Sequence, residues 1–316
     1  MTDSPSNATT PRRRFRDLLA RSTLSIMPGG FSPLYARMAE AAGFESFFVA
    51  GSQTSAFLYG VPDMGLVGLR DMVDHTRHVQ SRVGIPILVD ADTGYGNATN
   101  VFFAVQEFVR AGVAGLQIED QEAPKKSATM AGRRVIPADE AIGKIKAAVK
   151  ARNELDPEFV VCARCDSIGA EGEKFEDAVE RAIAYVQDGG ADFVWMNSVQ
   201  TPEQLKLACE RIPAPVMVIW GSRPGPEPAE LEQLGARIAL YPTFAATVGA
   251  QAAWFVLNDF KARGPVALED WTARMRATAY GLPDQSALVG APRIREFEEE
   301  FMPQRLQRDY VTTFGH

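Results

Sequence analysis

The sequence is poor in the residues that most often build metal and redox sites. Among 316 residues there are three histidines and three cysteines. That scarcity argues against a disulfide scaffold, a four-cysteine zinc module and a His-rich metal centre. A basic excess is also missing. Thirty-three Lys and Arg stand against 40 Asp and Glu, for a net charge of −7, which disfavours nucleic acid or an anionic membrane as main partner. No apolar run approaches the ~18 residues of a membrane-spanning helix. Residues 1–14, polar and carrying Arg12-Arg13-Arg14, lack the apolar stretch of a secretory signal and read as a flexible tail. What remains, 46% hydrophobic and 23% charged, suffices for a large core. The expectation is a cytoplasmic protein whose chemistry proceeds largely without histidine.

Short apolar or β-branched runs recur, each followed by a segment of helical period. The predicted strands are 23–27, 46–50, 85–90, 114–119, 159–164, 191–197, 215–220 and 237–241. Several are apolar throughout, as in a parallel sheet covered on both faces. Helices are predicted over 33–42, 69–82, 99–111, 138–152, 175–189, 202–211 and 228–234, several ending at Gly43, Gly112, Gly190 or Gly235, where only glycine turns left-handed cheaply. Eight strands alternating with helices make an α/β fold of the (β/α)8 TIM-barrel type. A doubly wound open sheet competes, but no Gly-x-Gly-x-x-Gly follows the first strand. Such a barrel takes about 250 residues. The remainder fits an N-terminal arm and C-terminal helices from about residue 265 (268–279 and 293–305), with residues 15–316 one domain.

The residues that end the strands carry the chemistry. Strand three ends in Asp90-Ala91-Asp92-Thr93-Gly94-Tyr95-Gly96-Asn97, strand four in Glu119-Asp120-Gln121, strand five in Arg164 and strand six in Asn197-Ser198. In a barrel these ends meet at one mouth, where active sites are built. Asp90 and Asp92 share strand parity, and Glu119 arrives from the neighbouring strand. One such acid alone would serve equally well as a helix cap. Three converging on one place need a cation, and hard oxygen donors without His or Cys indicate Mg2+, with Mn2+ as the alternative. Arg164 neutralises these acids or binds a carboxylate or phosphonate with its planar fork, and both roles are compatible. Residues 121–137 are long and basic for a βα connection, the pattern of a lid over the mouth. His75 and His78 read as an exposed surface pair. Trp195 and Trp220 read as apolar walls of the pocket or its surround.

The chain closely resembles the isocitrate lyase/phosphoenolpyruvate mutase superfamily. The strand-three segment from Asp90 to Asn97 is the most specific motif. Around it fall Gly51-Ser52-Gln53, Gly60-Val61-Pro62-Asp63, Glu119-Asp120-Gln121, Pro124-Lys125-Lys126 and Ala163-Arg164, in the expected order from Phe15 to Arg263. The resemblance implies a barrel whose last helix is exchanged between subunits of a homotetramer. It also implies Mg2+ held by Asp90, with Asp63, Asp92 and Glu119 reaching it directly or through water. A 2-oxo or 2-hydroxy acid substrate would lie against Gly51, Ser52, Gln53, Asp90, Arg164, Asn197 and Ser198. The shared logic is a pyruvate-type enolate stabilised by metal and arginine.

Departures from the family narrow the chemistry. Its isocitrate, methylisocitrate and dimethylmalate lyases carry Lys-Lys/Arg-Cys-Gly-His in the lid, where this chain has Lys125-Lys126-Ser127-Ala128-Thr129. A serine hydroxyl is far less acidic than a thiol and cannot simply inherit its proton. Their glutamate after strand six is Asn197 here, and their Asn-Met-x-Glu after strand seven is replaced by Trp220-Gly221-Ser222-Arg223-Pro224. The expected function is a Mg2+-dependent C–C lyase or decarboxylase on a small oxaloacetate- or alkylmalate-like dicarboxylate, with Arg164, Ser127, Lys126 and Asn197 as catalytic groups. The alternatives are a phosphonopyruvate-type P–C mutase or hydrolase, and a non-catalytic homologue that binds metal and oxalate.

Overall fold

Eight parallel strands pair in chain order and close on themselves. They are β1 (Ser25–Gly30), β2 (Phe47–Val49), β3 (Ile87–Asp90), β4 (Gly115–Glu119), β5 (Val160–Cys165), β6 (Phe193–Met196), β7 (Val216–Val218) and β8 (Ile238–Tyr241), and β8 pairs back to β1. This is the predicted (β/α)8 barrel, each expected strand overlapping an observed one. The structure is a computed structural model and describes residues 9–313 except 128, 129, 221–224, 283 and 311. Ala128, Thr129 and the segment from Gly221 to Pro224 therefore lie outside the described residues.

Strand pleating separates two kinds of core. Met27, Phe48, Leu88, Cys162, Phe193, Trp195, Met217 and Leu240 fill the barrel interior. Their strand neighbours, among them Val49, Val89, Leu116, Val161, Val194 and Val218, pack outward beneath the helices. Strands buried on both faces account for the unbroken apolar runs in the sequence. Gly43, Gly112, Gly190 and Gly235 all take positive φ (82–98°) at helix ends, as their sequence positions require. Among the described residues no helix is long and apolar enough to cross a membrane.

The helix Pro11–Ala20 begins inside the segment expected to be a flexible tail. Thr10 caps it by accepting from the Arg13 amide at 3.2 Å. Its arginines reach backbone carbonyls and acids just before strands β3 to β6. Arg12 donates to the carbonyl of Val113 at 3.0 Å, Arg16 to those of Glu158 at 2.9 Å and Phe159 at 2.9 Å, and Arg14 to that of Gly84. Phe15, fully buried, meets Phe193 edge-on with centroids 6.0 Å apart. The helix thus stoppers the N-terminal end of the barrel.

By packing the chain divides into two units, Met1–Val248 and Gly249–His316. The first contains the barrel. The helix Phe244–Arg263, not assigned from sequence, runs from the first unit into the second. The second unit also holds the helices Pro265–Arg276 and Pro292–Phe301, close to the two C-terminal helices expected. Within it Arg263 pairs with Asp259 at 2.6 Å and Asp270 at 2.8 Å, and Trp271 packs on Phe255 at 6.2 Å.

Candidate active site

Strand register assembles the site. Asp90 lies opposite Gln117, Glu119 opposite Arg164, and Arg164 opposite Trp195. Neighbours across a parallel ladder on one face touch, so each pairing becomes a side-chain contact. Gln117, fully buried, donates its amide to Asp90 Oδ1. Arg164 Nη1 lies 2.9 Å from Glu119 Oε2, and its guanidinium carbon sits 4.3 Å from the Trp195 ring centre. All of this is at the C-terminal end of the strands, the catalytic face of such barrels.

Two other elements bring in the rest. After β2 the chain turns into a helix at Gly51, whose amide donates to Asp90 Oδ2 at 3.1 Å. A Cβ there would lie 2.9 Å from the same oxygen, so only glycine lets the backbone come this close. Asp92 holds φ +47° and donates its amide to Asp90 Oδ1 at 3.0 Å. Left-handed backbone at a residue other than glycine is the kind of strain that collects at functional sites. Lys125, 3% exposed, places Nζ 2.6 Å from both Asp63 Oδ1 and Asp92 Oδ1. A cavity of about 400 Å³ opens here, lined by Ser52, Gln53, Asp63, Asp90, Ser127 and Arg164 on its polar side and Phe48, Trp195, Ile219 and Pro242 on its apolar side.

The electrostatics are those of an acidic cluster held by internal cations. Burial, then the charge of Asp90, pushes Asp92 up to about 6, and burial pushes Glu119 well above the usual range. Burial opposes the charge on Lys125 and Arg164, yet the surrounding carboxylates outweigh it and hold both firmly protonated. Among the described residues no three acids stand arranged to grip an ion, because their oxygens are turned on Lys125, Arg164 and backbone amides. The donor set nevertheless fits a hard divalent cation. It is all oxygen, and Glu119 Oε1 is buried without a hydrogen-bond partner.

The expected site residues do not all meet here. Gly51, Ser52, Gln53, Asp63, Asp90, Asp92, Glu119, Ser127 and Arg164 gather around the cavity. Lys126 does not. It lines a separate hollow with Gln121, Pro124 and Arg134, and its amide donates to Gln121 Oε1 at 2.9 Å. The lysine that reaches the acids is Lys125. Asn197, 4% exposed, donates to Asp166 Oδ1, and Ser198 accepts from Arg133 at 3.1 Å. Trp220 lines a different cavity, with Ile26 and Tyr241, and so does not narrow this one. His75 is half-buried, its ring nitrogen on the Phe31 carbonyl, while His78 is exposed. Sequence reasoning passed over Gln117, Arg133 and Asp166. Gln117 and Asp166 each lie two residues from a chosen strand-end residue, on the same face, and that parity was the available signal.

A closed parallel barrel with carboxylates, an arginine and a lysine at its C-terminal mouth defines a class: barrel enzymes that bind small anionic substrates. Comparison with known proteins narrows it. The family model for phosphoenolpyruvate phosphomutase matches residues 15–256, and the chain belongs to this family, within the isocitrate lyase/phosphoenolpyruvate mutase superfamily. It is 35% identical over 298 residues to a 2,3-dimethylmalate lyase of Eubacterium barkeri, covering 92% of this chain and 98% of that protein. Its fold matches a structure of oxaloacetate acetylhydrolase with the inhibitor 3,3-difluorooxalacetate (TM-score 0.82, 28% identity, 92% of this chain and 97% of that one). It also matches phosphonopyruvate hydrolase in complex with oxalate and Mg2+ (TM-score 0.80, 29% identity, 93% and 100%).

Proposed function

We propose that the chain is a divalent-metal-dependent carbon–carbon lyase acting on a small 2-hydroxy or 2-oxo dicarboxylate of the alkylmalate or oxaloacetate type. The observation that carries this is the register-built pairing of Glu119, Arg164 and Trp195 beside Asp90, Asp92 and Asp63 on a cavity of about 400 Å³. Its volume suits a small acid, and its two walls suit a carboxylate on one side and carbon on the other. The dimethylmalate lyase relative and the oxaloacetate acetylhydrolase structure support the same substrate class. Asp90, Asp92, Asp63 and Glu119 would hold Mg2+, or Mn2+ in its place. When bound, such an ion supplies Lewis-acid stabilisation of negative charge developing on the substrate's α-oxygen.

The remaining work falls to the chain itself. Gln117 and the Gly51 amide orient Asp90. Arg164, fixed against Glu119 and Trp195, offers a cation to a substrate carboxylate. Ser52 and Gln53 lie where the other carboxylate would rest. Ser127 closes the cavity from the connection after β4. The proton owed to the departing carbon would be relayed by the Ser127 hydroxyl, which lines the cavity, because Lys125 is held firmly protonated between Asp63 and Asp92. Phe48, Trp195, Ile219 and Pro242 keep that side of the cavity apolar. The enzyme would act in the cytoplasm as a homotetramer.

One panel tests the reading: oxaloacetate, 2-methylmalate, 2,3-dimethylmalate and phosphonopyruvate, each with Mg2+, following pyruvate, CO2 and phosphate. Pyruvate without phosphate from one of the carbon acids is the expected result. Phosphate release from phosphonopyruvate alone would transfer the site to P–C chemistry. Oxalate and Mg2+ binding with no turnover at all would mark a non-catalytic homologue.

A further inference from the structure

Asp166, fully buried, collects side chains from three separate parts of the chain onto one carboxylate. Its Oδ1 accepts from Arg133 Nη1 at 3.0 Å, from Arg164 Nη2 at 3.0 Å and from the Asn197 amide. Its Oδ2 lies 2.8 Å from Arg164 Nε. The second amino group of Arg133 goes on to the Ile168 carbonyl at 3.0 Å and to Ser198 Oγ at 3.1 Å. With Glu119 on the far side of Arg164, the residues form a row of alternating charge: Arg133, Asp166, Arg164, Glu119. Arg164 is the cation of this row that lines the cavity.

We propose that Arg133, Asp166 and Asn197 are positioning residues for Arg164, acting through the Asp166 carboxylate and not on the substrate. The inference rests on the reading of the cavity as an anion site. Arg164 has a flat fork with few ways to lie. Asp166 accepts from Nη2 and lies against Nε, Glu119 lies against Nη1, and Trp195 covers a face, so its plane is fixed before any ligand arrives. Without Arg133, Asp166 would keep one cation where it now has two, and would draw more of the Arg164 charge to itself. Arg133 belongs to the returning arm of the connection after β4, whose two arms bridge at Gln121 and Val135. The seating of that arm and the aim of the substrate arginine thus depend on the same carboxylate. The arrangement also gives Asn197 a use. A glutamate there, as in the lyases of this superfamily, would set a second negative charge against Asp166, whereas an amide donates to it.

The probe is oxalate binding to the Mn2+-loaded protein by titration calorimetry, alongside Mn2+ affinity and the melting temperature of the same samples. Arg133→Met is expected to weaken oxalate about tenfold, as loss of a buried hydrogen-bonded charge does, with Mn2+ affinity not reduced. Arg133→Lys, which keeps the charge beside Asp166, is expected to recover part of the loss. Asn197→Ala should also weaken oxalate, and Arg133→Met/Asn197→Ala should fall short of the sum, because both act through one carboxylate. A lower melting temperature with unchanged oxalate affinity in Arg133→Met would reduce Arg133 to a scaffold residue and overturn the proposal. Additive losses would place Asn197 on the ligand itself and overturn its part. Failure of the wild-type, Mn2+-loaded protein to bind oxalate would remove the anion-site reading and this inference together, an outcome distinct from variants that bind like wild type.

Discussion

At the scale of single residues, Lys125 is the decisive one. Its ammonium stands between Asp63 and Asp92, where a divalent cation would otherwise collect the same oxygens. Removing that charge takes away a competitor, so Lys125→Met is expected to bind Mn2+ about tenfold more tightly than wild type, measured by electron paramagnetic resonance of free Mn2+. Weaker binding would mean that the lysine orients the ligands and does not compete for them. From sequence the role fell to Lys126, its neighbour in the Lys125-Lys126 pair, because strand pleat decides which side chain faces the mouth only inside a strand and gives no guide in this connection. At strand ends the choice was legible: Asp90, Glu119 and Arg164 follow from parity alone. Asp120 illustrates the opposite face. It accepts from Tyr185 at 2.7 Å and from the Asp166 amide at 2.7 Å, and burial, followed by the charge of Asp166, pushes it up to about 6. A carboxyl raised on folding adds stability below its unfolded value of about 4 and loses it as pH rises through about 6. Asp120→Asn escapes that loss. Its melting temperature should therefore gain on wild type between pH 4 and pH 7, and a gap that stays constant with pH would contradict the sign.

At the scale of elements, what the sequence revealed were units with internal period, and what it hid were units defined by distant partners. All eight strands and most helices were readable from apolar runs and terminal glycines. The helix Pro11–Ala20 was not, because four of its ten residues are arginines and its apolar face is short. Arg12, Arg14 and Arg16 are satisfied by carbonyls and acids 70 to 176 residues away, which no local pattern displays. Phe15 seats this helix in the barrel floor, at the end opposite the candidate site. Phe15→Ala is expected to cost about 3–5 kcal/mol, the range for emptying a buried aromatic site, seen as a lower urea midpoint. Mn2+ affinity measured well below the transition should be unchanged. If metal affinity collapses in step with stability, the stopper and the site are one cooperative unit, contrary to their separation along the barrel axis.

At the scale of the whole molecule, the last long helix carries its own argument. Along Phe244–Arg263, Trp254 is 72% exposed and Leu257 66%, with Phe255 and Phe260 also exposed. Apolar side chains at nearly every position of its middle explain why no amphipathic period marked this helix in the sequence. A helix apolar all round is ordinarily buried on all sides. Large exposed apolar patches on soluble chains mark surfaces that meet another chain. On the homotetramer reading proposed above, the occupant would be a second copy of this chain. The wild-type protein is accordingly expected to sediment as a tetramer, and Trp254→Glu/Leu257→Glu as a smaller species, since each charge would have to be buried without a partner. Because a charge on an exposed helix face costs little in an isolated subunit, the variant should keep its far-ultraviolet circular dichroism while its mass falls. A variant that stays tetrameric would show that these side chains lie outside the contact. A wild type that sediments as a monomer at micromolar concentration would exclude the homotetramer altogether.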